Sequence, residues 1–170
     1  MGSIQTFLSI GAMVILSIVI LSGNRKLNDN EQYLQKTRFG LEATALATSV
    51  IEEASQLPFD EMSWDSTIIE KDASDFTQAA YLGPDAGESS FDSFDDFDDF
   101  NGYTITDTTQ QNIYYITCKV GYVNAGFFSN NLDHYSSSRT LFKKMDVTIT
   151  GSASSDTLTL SYIHGFWYFN

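Results

Sequence analysis

Hydrophobic and polar residues divide the chain into four stretches with different rhythms. From Phe7 to Ser22 the sequence reads FLSIGAMVILSIVILS without one charge, and Ile4 carries the apolar character toward the start. Roughly 17–20 apolar residues cross the hydrocarbon core of a bilayer as a helix, so this stretch predicts a helix buried in lipid or among other helices. Beyond it, Leu27, Leu34 and Leu41 recur one heptad apart, and Ala45, Leu46, Val50 and Ile51 prolong an apolar stripe between polar faces. That period predicts that the helix continues as an amphipathic half. Gly23-Asn24 at the junction is its weak point, because glycine costs about 1 kcal/mol relative to alanine inside a helix. Pro58 ends the run: proline removes a backbone donor and disfavours helix at the residue before it. The expectation is one helix of ~50 residues.

The rhythm then breaks. Residues 59–90 are polar and irregular, with Gly83-Pro84-Asp85-Ala86-Gly87 as a turn signal and one short strand expected at 66–70. Next comes Phe91-Asp92-Ser93-Phe94-Asp95-Asp96-Phe97-Asp98-Asp99-Phe100-Asn101-Gly102-Tyr103, with phenylalanine at every third position and carboxylates between. After it the alternation is that of strands, at 103–106, 113–123, 142–150 and 157–169, all rich in Val, Ile, Thr and aromatics. A Ser/Asn-rich loop at 129–138 and a short hairpin loop at 151–156 join the later ones. Consecutive strands with short loops predict an antiparallel meander covered on one face by the amphipathic half-helix. The expected fold class is α+β: a long N-terminal helix, transmembrane half plus amphipathic half, packed on a C-terminal antiparallel β-sheet. Its segments are 1–23, the hydrophobic half-helix; 24–57, the amphipathic half; 58–102, a variable loop with the Asp/Phe-rich segment; and 103–170, the sheet.

Charge narrows the function classes. Nine Lys and Arg stand against 22 Asp and Glu in 170 residues, a formal net charge of -13. Such a surface repels phosphate backbones, so no nucleic-acid partner is expected. Arg25 and Lys26 follow the apolar run, which by the positive-inside rule places the body in the cytoplasm. The acidity of the body, with orienting basic residues placed on a leader ahead of the chain, gives the opposite expectation of an exported body. A cleaved secretory signal fits less well, because residues 1–6 hold no Lys or Arg and helical patterning continues past the apolar stretch. Cys118 is the single cysteine, so no internal disulfide forms, and its place in a strand pattern predicts a small buried hydrophobe. With His134 and His164 as the only histidines, no zinc site of ordinary spacing can be drawn.

The Asp-rich stretch is the candidate ion site. Asp95, Asp96, Asp98 and Asp99 with Asn101, and Asp92 before them, bring oxygen-bearing side chains close together, which suits a hard cation such as calcium. Its glycine and acidic positions do not match an EF-hand loop. The competing structural expectation is that the phenylalanines staple the loop to the core while the aspartates face water. No Gly-x-Ser-x-Gly element, phosphate-cradling glycine loop or nucleophile–base pair is present in the sequence, and no enzymatic activity is expected. His164 and the aromatic run Phe166-Trp167-Tyr168-Phe169 read as packing residues of the last strand.

Together these features resemble type IV pilins and pseudopilins. The residues that carry the resemblance are the charge-free start, the single long helix with Ile51-Glu52-Glu53-Ala54 near its end, and a sheet body after a variable loop. Leu57-Pro58-Phe59-Asp60-Glu61, the Phe-Asp-Asp repeat and Lys143-Lys144-Met145-Asp146-Val147-Thr148-Ile149 are similar to segments of minor pilin-like proteins related to those of the mannose-sensitive haemagglutinin pilus. The resemblance implies a bacterial subunit held in the inner membrane before assembly. It then packs with copies of itself and other pilin-like subunits into an extracellular helical filament. It also implies leader cleavage and methylation of the new first residue, here Met1, with Gln5, Phe7, Ile10, Val14 and Ile18 as assembly residues. The family pattern has glutamate where this chain has Gln5, which can hydrogen-bond to a neighbour's terminal amine but not neutralise it. The alternative expectation is a single-pass anchored periplasmic domain that binds a cation or ligand.

Overall fold

The computed structural model describes residues 2–63, 72–88, 90–109, 112–126, 129–152 and 156–166. One α-helix, α1, runs Gly2–Ser55 without interruption through Gly23 and Asn24. Hydrogen bonds from Gln56 N to Glu53 O at 3.1 Å and from Leu57 N to Ala54 O at 3.2 Å tighten its last turn ahead of Pro58. The chain divides into two compact units, Met1–Gly40 and Leu41–Asn170, so the end of α1 belongs to the second. The first unit is therefore helix throughout its described length.

In the second unit the expected antiparallel meander is present. Strands β1 (Thr104–Thr108), β2 (Ile113–Tyr122), β5 (Phe142–Gly151) and β6 (Thr157–Gly165) form one four-stranded sheet in the order β1-β2-β5-β6. Register pairs Ile116 with Ile149, Cys118 with Val147, Val120 with Met145 and Tyr122 with Lys143. These residues and Tyr114 are buried, which is the period-2 inward face of a sheet with one covered side. Burial pushes the Cys118 thiol up to about 12, as the small-hydrophobe reading requires. Two short strands, β3 (Asn124–Gly126) and β4 (Ser129–Asn131), form a separate two-stranded ladder. Their Asn/Ser-rich sequence lacks the apolar alternation that marks a strand, so backbone pairing alone reveals them. The strand expected at 66–70 and residues 167–169 of the last strand lie outside the described residues.

The helix stripe meets the sequence expectation at Val50 and Ile51, which are buried, and departs from it earlier in the helix. Leu27, Leu34 and Leu41 are 62%, 67% and 70% exposed, and Ala45 is exposed too. Within the second unit the buried helical positions are Ala43, Ala47, Val50, Ile51 and Ala54. The inward sheet face already carries Tyr114, Ile116, Met145 and Ile149, so three alanines allow the closest approach of helix backbone to bulky strands. Alanine gives a weak hydrophobic signal, and leucine periodicity therefore missed Ala43 and Ala47 while the stripe's Val50 and Ile51 are on the buried face. Tyr114 Oη donates to the Glu42 carboxylate, fixing the helix end to β2.

Candidate functional site

Two regions carry chemistry. The first is the surface of α1 within its own unit. Gln5 is exposed, and Phe7, Ile10, Val14 and Ile18 fall on one face by their spacing of three and four. Phe7 is 75% exposed and Val14 54%, and the other large apolar residues from Leu8 to Leu21 are exposed to similar degrees. The hydroxyls in the stretch are turned inward: Ser9 Oγ donates to Gln5 O, Ser17 Oγ to Met13 O and Ser22 Oγ to Ile18 O, at 3.0, 2.8 and 2.9 Å. Each bond removes a polar donor from the surface, as hydrocarbon surroundings demand. The helix is long and apolar enough to cross a membrane. Met1 lies outside the described residues.

The second region is the Asp-rich run, which two 3₁₀ turns, Phe91–Ser93 and Asp98–Phe100, fold back on itself. Its phenylalanines separate into two groups. Phe91, Phe94 and Phe100 cluster around Tyr103 with ring centroids 5.1–6.2 Å apart. Phe97, fully buried, stacks instead on His164 at 4.8 Å. Phe59 lies on the other contact of that imidazole at 5.9 Å, and burial beside Lys143 holds the His164 pKa below its usual value.

The aspartates do not all face water. Asp92 and Asp95 do, but Asp96, Asp98 and Asp99 are each only 3% exposed. Asp96 accepts from the backbone N–H groups of Glu61 and Asp98, both at 2.7 Å. Asp99 accepts from Asp95 N at 2.9 Å and Asp96 N at 3.0 Å. The Asn101 amide spans Leu82 O and Val120 N at 2.9 and 3.0 Å, and Gly102, with φ +81°, supplies the left-handed turn that leads into β1. Of the five residues expected to hold calcium, the structure therefore turns the Asp96, Asp99 and Asn101 side chains toward backbone groups and Asp98 toward a lysine. Asp95 meets two other carboxylates: Glu61, Glu88 and Asp95 each place a ligand oxygen within 4.8 Å of the others. Hydrogen bonding to Asp85 first, and then burial and neighbouring carboxylates, raise the Glu61 pKa; burial and Asp99 raise that of Glu88. Glu61 and Asp95 also line an open groove with Pro58 and Met62. A divalent cation bound there would use Glu61, Glu88 and Asp95, with Asp95 the one ligand shared with the sequence expectation.

Beneath this cluster lies a residue the sequence pattern did not single out. Lys143, on β5, is completely buried. Its ammonium donates to Phe59 O at 2.6 Å and to Asp60 Oδ2 at 2.9 Å, and it contacts Asp98 Oδ1. The rings of Phe59 and Tyr122 lie 4.5 and 5.5 Å from it. Asp60, also completely buried, further accepts from Thr77 N at 3.0 Å and Met62 N at 3.2 Å. Burial first, then the Asp98 charge, push the Asp96 carboxyl to about 8, against the pull of Lys143. Asp98 is raised by burial as well, with Lys143 opposing. The signal that locates Lys143 is strand parity: 143, 145, 147 and 149 share the inward face. On the outward face Lys144 pairs with Asp146 at 3.1 Å, and both Lys144 and Lys119 sit over the Tyr135 ring.

No family model, no curated protein and no solved structure matches this chain.

Proposed function

We propose that this chain is a structural subunit of an extracellular pilus-like filament, assembling through its N-terminal helix. One observation supports the reading above others: residues 4–22 are apolar around the whole helix circumference, carry no charge and are exposed throughout. Apolar surface removed from water contributes about 25 cal/mol per Å², so such a helix is stable only inside lipid or against other helices. A single-pass anchor needs only the first environment. The exposed leucines beyond the apolar stretch, Leu27 and Leu34, favour the second as well, because they add a side-by-side contact surface above the membrane. Met1, Gln5, Phe7, Ile10, Val14 and Ile18 are the assembly residues of this proposal, with Gln5 hydrogen-bonding a neighbour's terminal amine. The partners are copies of the chain and related subunits, and the inner membrane before assembly.

The second reading, an anchored periplasmic domain that binds a cation, draws on the convergence of Glu61, Glu88 and Asp95. Shearing cell surfaces and pelleting the released material at high speed separates the two. Pelletable protein whose N-terminal sequence starts at Met1 with one added methyl group supports the filament. Protein that stays monomeric in detergent-extracted membranes defeats it and leaves the anchored domain, to be tested by calcium titration of the Glu61→Gln variant against the parent chain.

A further inference from the structure

We propose that Lys143 and Asp98 condense to an intramolecular amide bond that ties the Asp/Phe-rich loop to strand β5. Three features of the pocket carry this, and none depends on whether the chain polymerises. The nucleophile and electrophile are already in contact: Lys143 Nζ touches Asp98 Oδ1, and strand β5 and the 98–100 turn hold the two residues in place. Each remaining role has a carboxyl next to the reacting atoms. Asp60 Oδ2, 2.9 Å from Nζ and held by the Thr77 and Met62 amides, can take a proton from the ammonium. Asp96, hydrogen-bonded to Asp98, is a carboxyl that burial keeps protonated near neutral pH, and it can donate to the departing oxygen.

The third feature is the wall around the pocket. Lys143 and Asp60 are 0% exposed and Asp98 3%, and the rings of Phe59 and Tyr122 lie over the ammonium. In water an amine and a carboxylic acid stay apart because both ionised forms are well hydrated. Burial penalises those charged forms and leaves the neutral amide and a released water favoured. The bond that forms joins Lys143 Nζ to Asp98 Cγ, and the bond that breaks joins Cγ to one Asp98 oxygen. Of the three ammonium hydrogens one remains on the amide and two leave with that oxygen as water. Asp60 and Asp96 end in the protonation states in which they began, the net charge of the pocket is unchanged, and nothing is oxidised or reduced. The product amide N–H keeps Phe59 O and Asp60 as acceptors, so no buried donor is orphaned.

The test is the intact mass and tryptic map of the full chain extracted in detergent and denatured before analysis. The expected mass lies one water below the sequence, after any N-terminal change has been read from its own peptide. Cleavage after Lys143 is lost, and a branched peptide joins that segment to the one containing Asp98. Lys143→Arg and Asp98→Ala should each restore the sequence mass, and Asp96→Asn should lower the cross-linked fraction several-fold in otherwise folded protein. Sequence mass with ordinary cleavage after Lys143 in aged, folded parent protein would overturn the proposal, and a branch at Asp60 would overturn the choice of electrophile. The parent chain decides the matter alone if the variants fail to fold.

Discussion

The apolar half of α1 and the Lys143 pocket invert each other. One places hydrocarbon on the outside, where water penalises every exposed residue from Phe7 to Leu21. The other places an ammonium and three carboxyls inside, where the low dielectric penalises every unpaired charge. Both arrangements are unstable in isolation, and each requires a partner. For Lys143 the partners are in the same chain, supplied by Asp60 at the end of the helix region and Asp98 in the loop. The apolar helix lies in the other compact unit, and in the proposed filament its partners are lipid and neighbouring subunits. Lys143 thus ties residues 60 and 98 to strand β5 within the body, while the apolar helix is the surface through which the proposed subunit assembles.

The largest break in this comparison comes from Lys143→Met. Removing one partner of a buried pair strands the others, and a loss of about 3–5 kcal/mol is expected in denaturant unfolding of the detergent-solubilised chain. Adding Asp98→Asn to that variant should recover part of the loss, since one of the stranded charges disappears.

Val14→Asp attacks the other region. A carboxylate at the centre of an apolar helix costs roughly 2.5–3.5 kcal/mol on insertion, so membrane association and recovery in sheared, pelletable material should both fall. Unfolding of the body should be unchanged, because residue 14 lies in the other compact unit. Equal loss of body stability would break the separation of the two regions.

Gly121→Ala probes the outward face of the sheet. A methyl group there would stand 2.5 Å from the Tyr135 ring, which is held by hydrogen bonds from its hydroxyl to Asp146 at 2.6 Å and Lys119 O at 3.3 Å. Overpacking of this kind costs about 1–3 kcal/mol. Adding Tyr135→Ala should remove most of the strain-related part, as a double-mutant cycle would show.

The last test is a pH slope, small per pH unit but accumulating across the range. The folded pKa of Asp96, about 8, lies above the ordinary value of 3.8, so the folded state binds the extra proton between those limits. Its contribution is complete below the lower value and is lost as pH rises toward 8, with a slope of up to about 1.4 kcal/mol per pH unit. Denaturation midpoints measured from pH 5 to 9 should fall with pH, and Asp96→Asn should flatten the curve. A curve that rises over this range would contradict the assignment.

Legibility of the two regions differed for one reason. The helix was readable because its signal is local: sixteen consecutive uncharged residues, counted from Phe7 to Ser22, and a proline stop need no knowledge of neighbours. The strands were readable from alternation, and Cys118 from its place within it. The buried helix face was read at Val50 and Ile51 but missed at Ala43 and Ala47, because alanine, the residue that permits close packing, contributes little to hydrophobic periodicity. The Asp-rich run was legible as unusual but not in its connections, since whether Asp98 meets water, calcium or Lys143 depends on a residue 45 positions away.

The sequence by itself determined the α+β class, the long charge-free helix, its end before Pro58 and the order of four sheet strands, because hydrophobic period and backbone chemistry are properties of neighbouring residues. Only the tertiary structure decided which helix face is buried, which phenylalanine joins which cluster and which carboxylates are exposed. Those outcomes depend on distances between residues far apart in the chain. The clearest instance is the lysine whose inward position on β5 places it between Asp60 and Asp98.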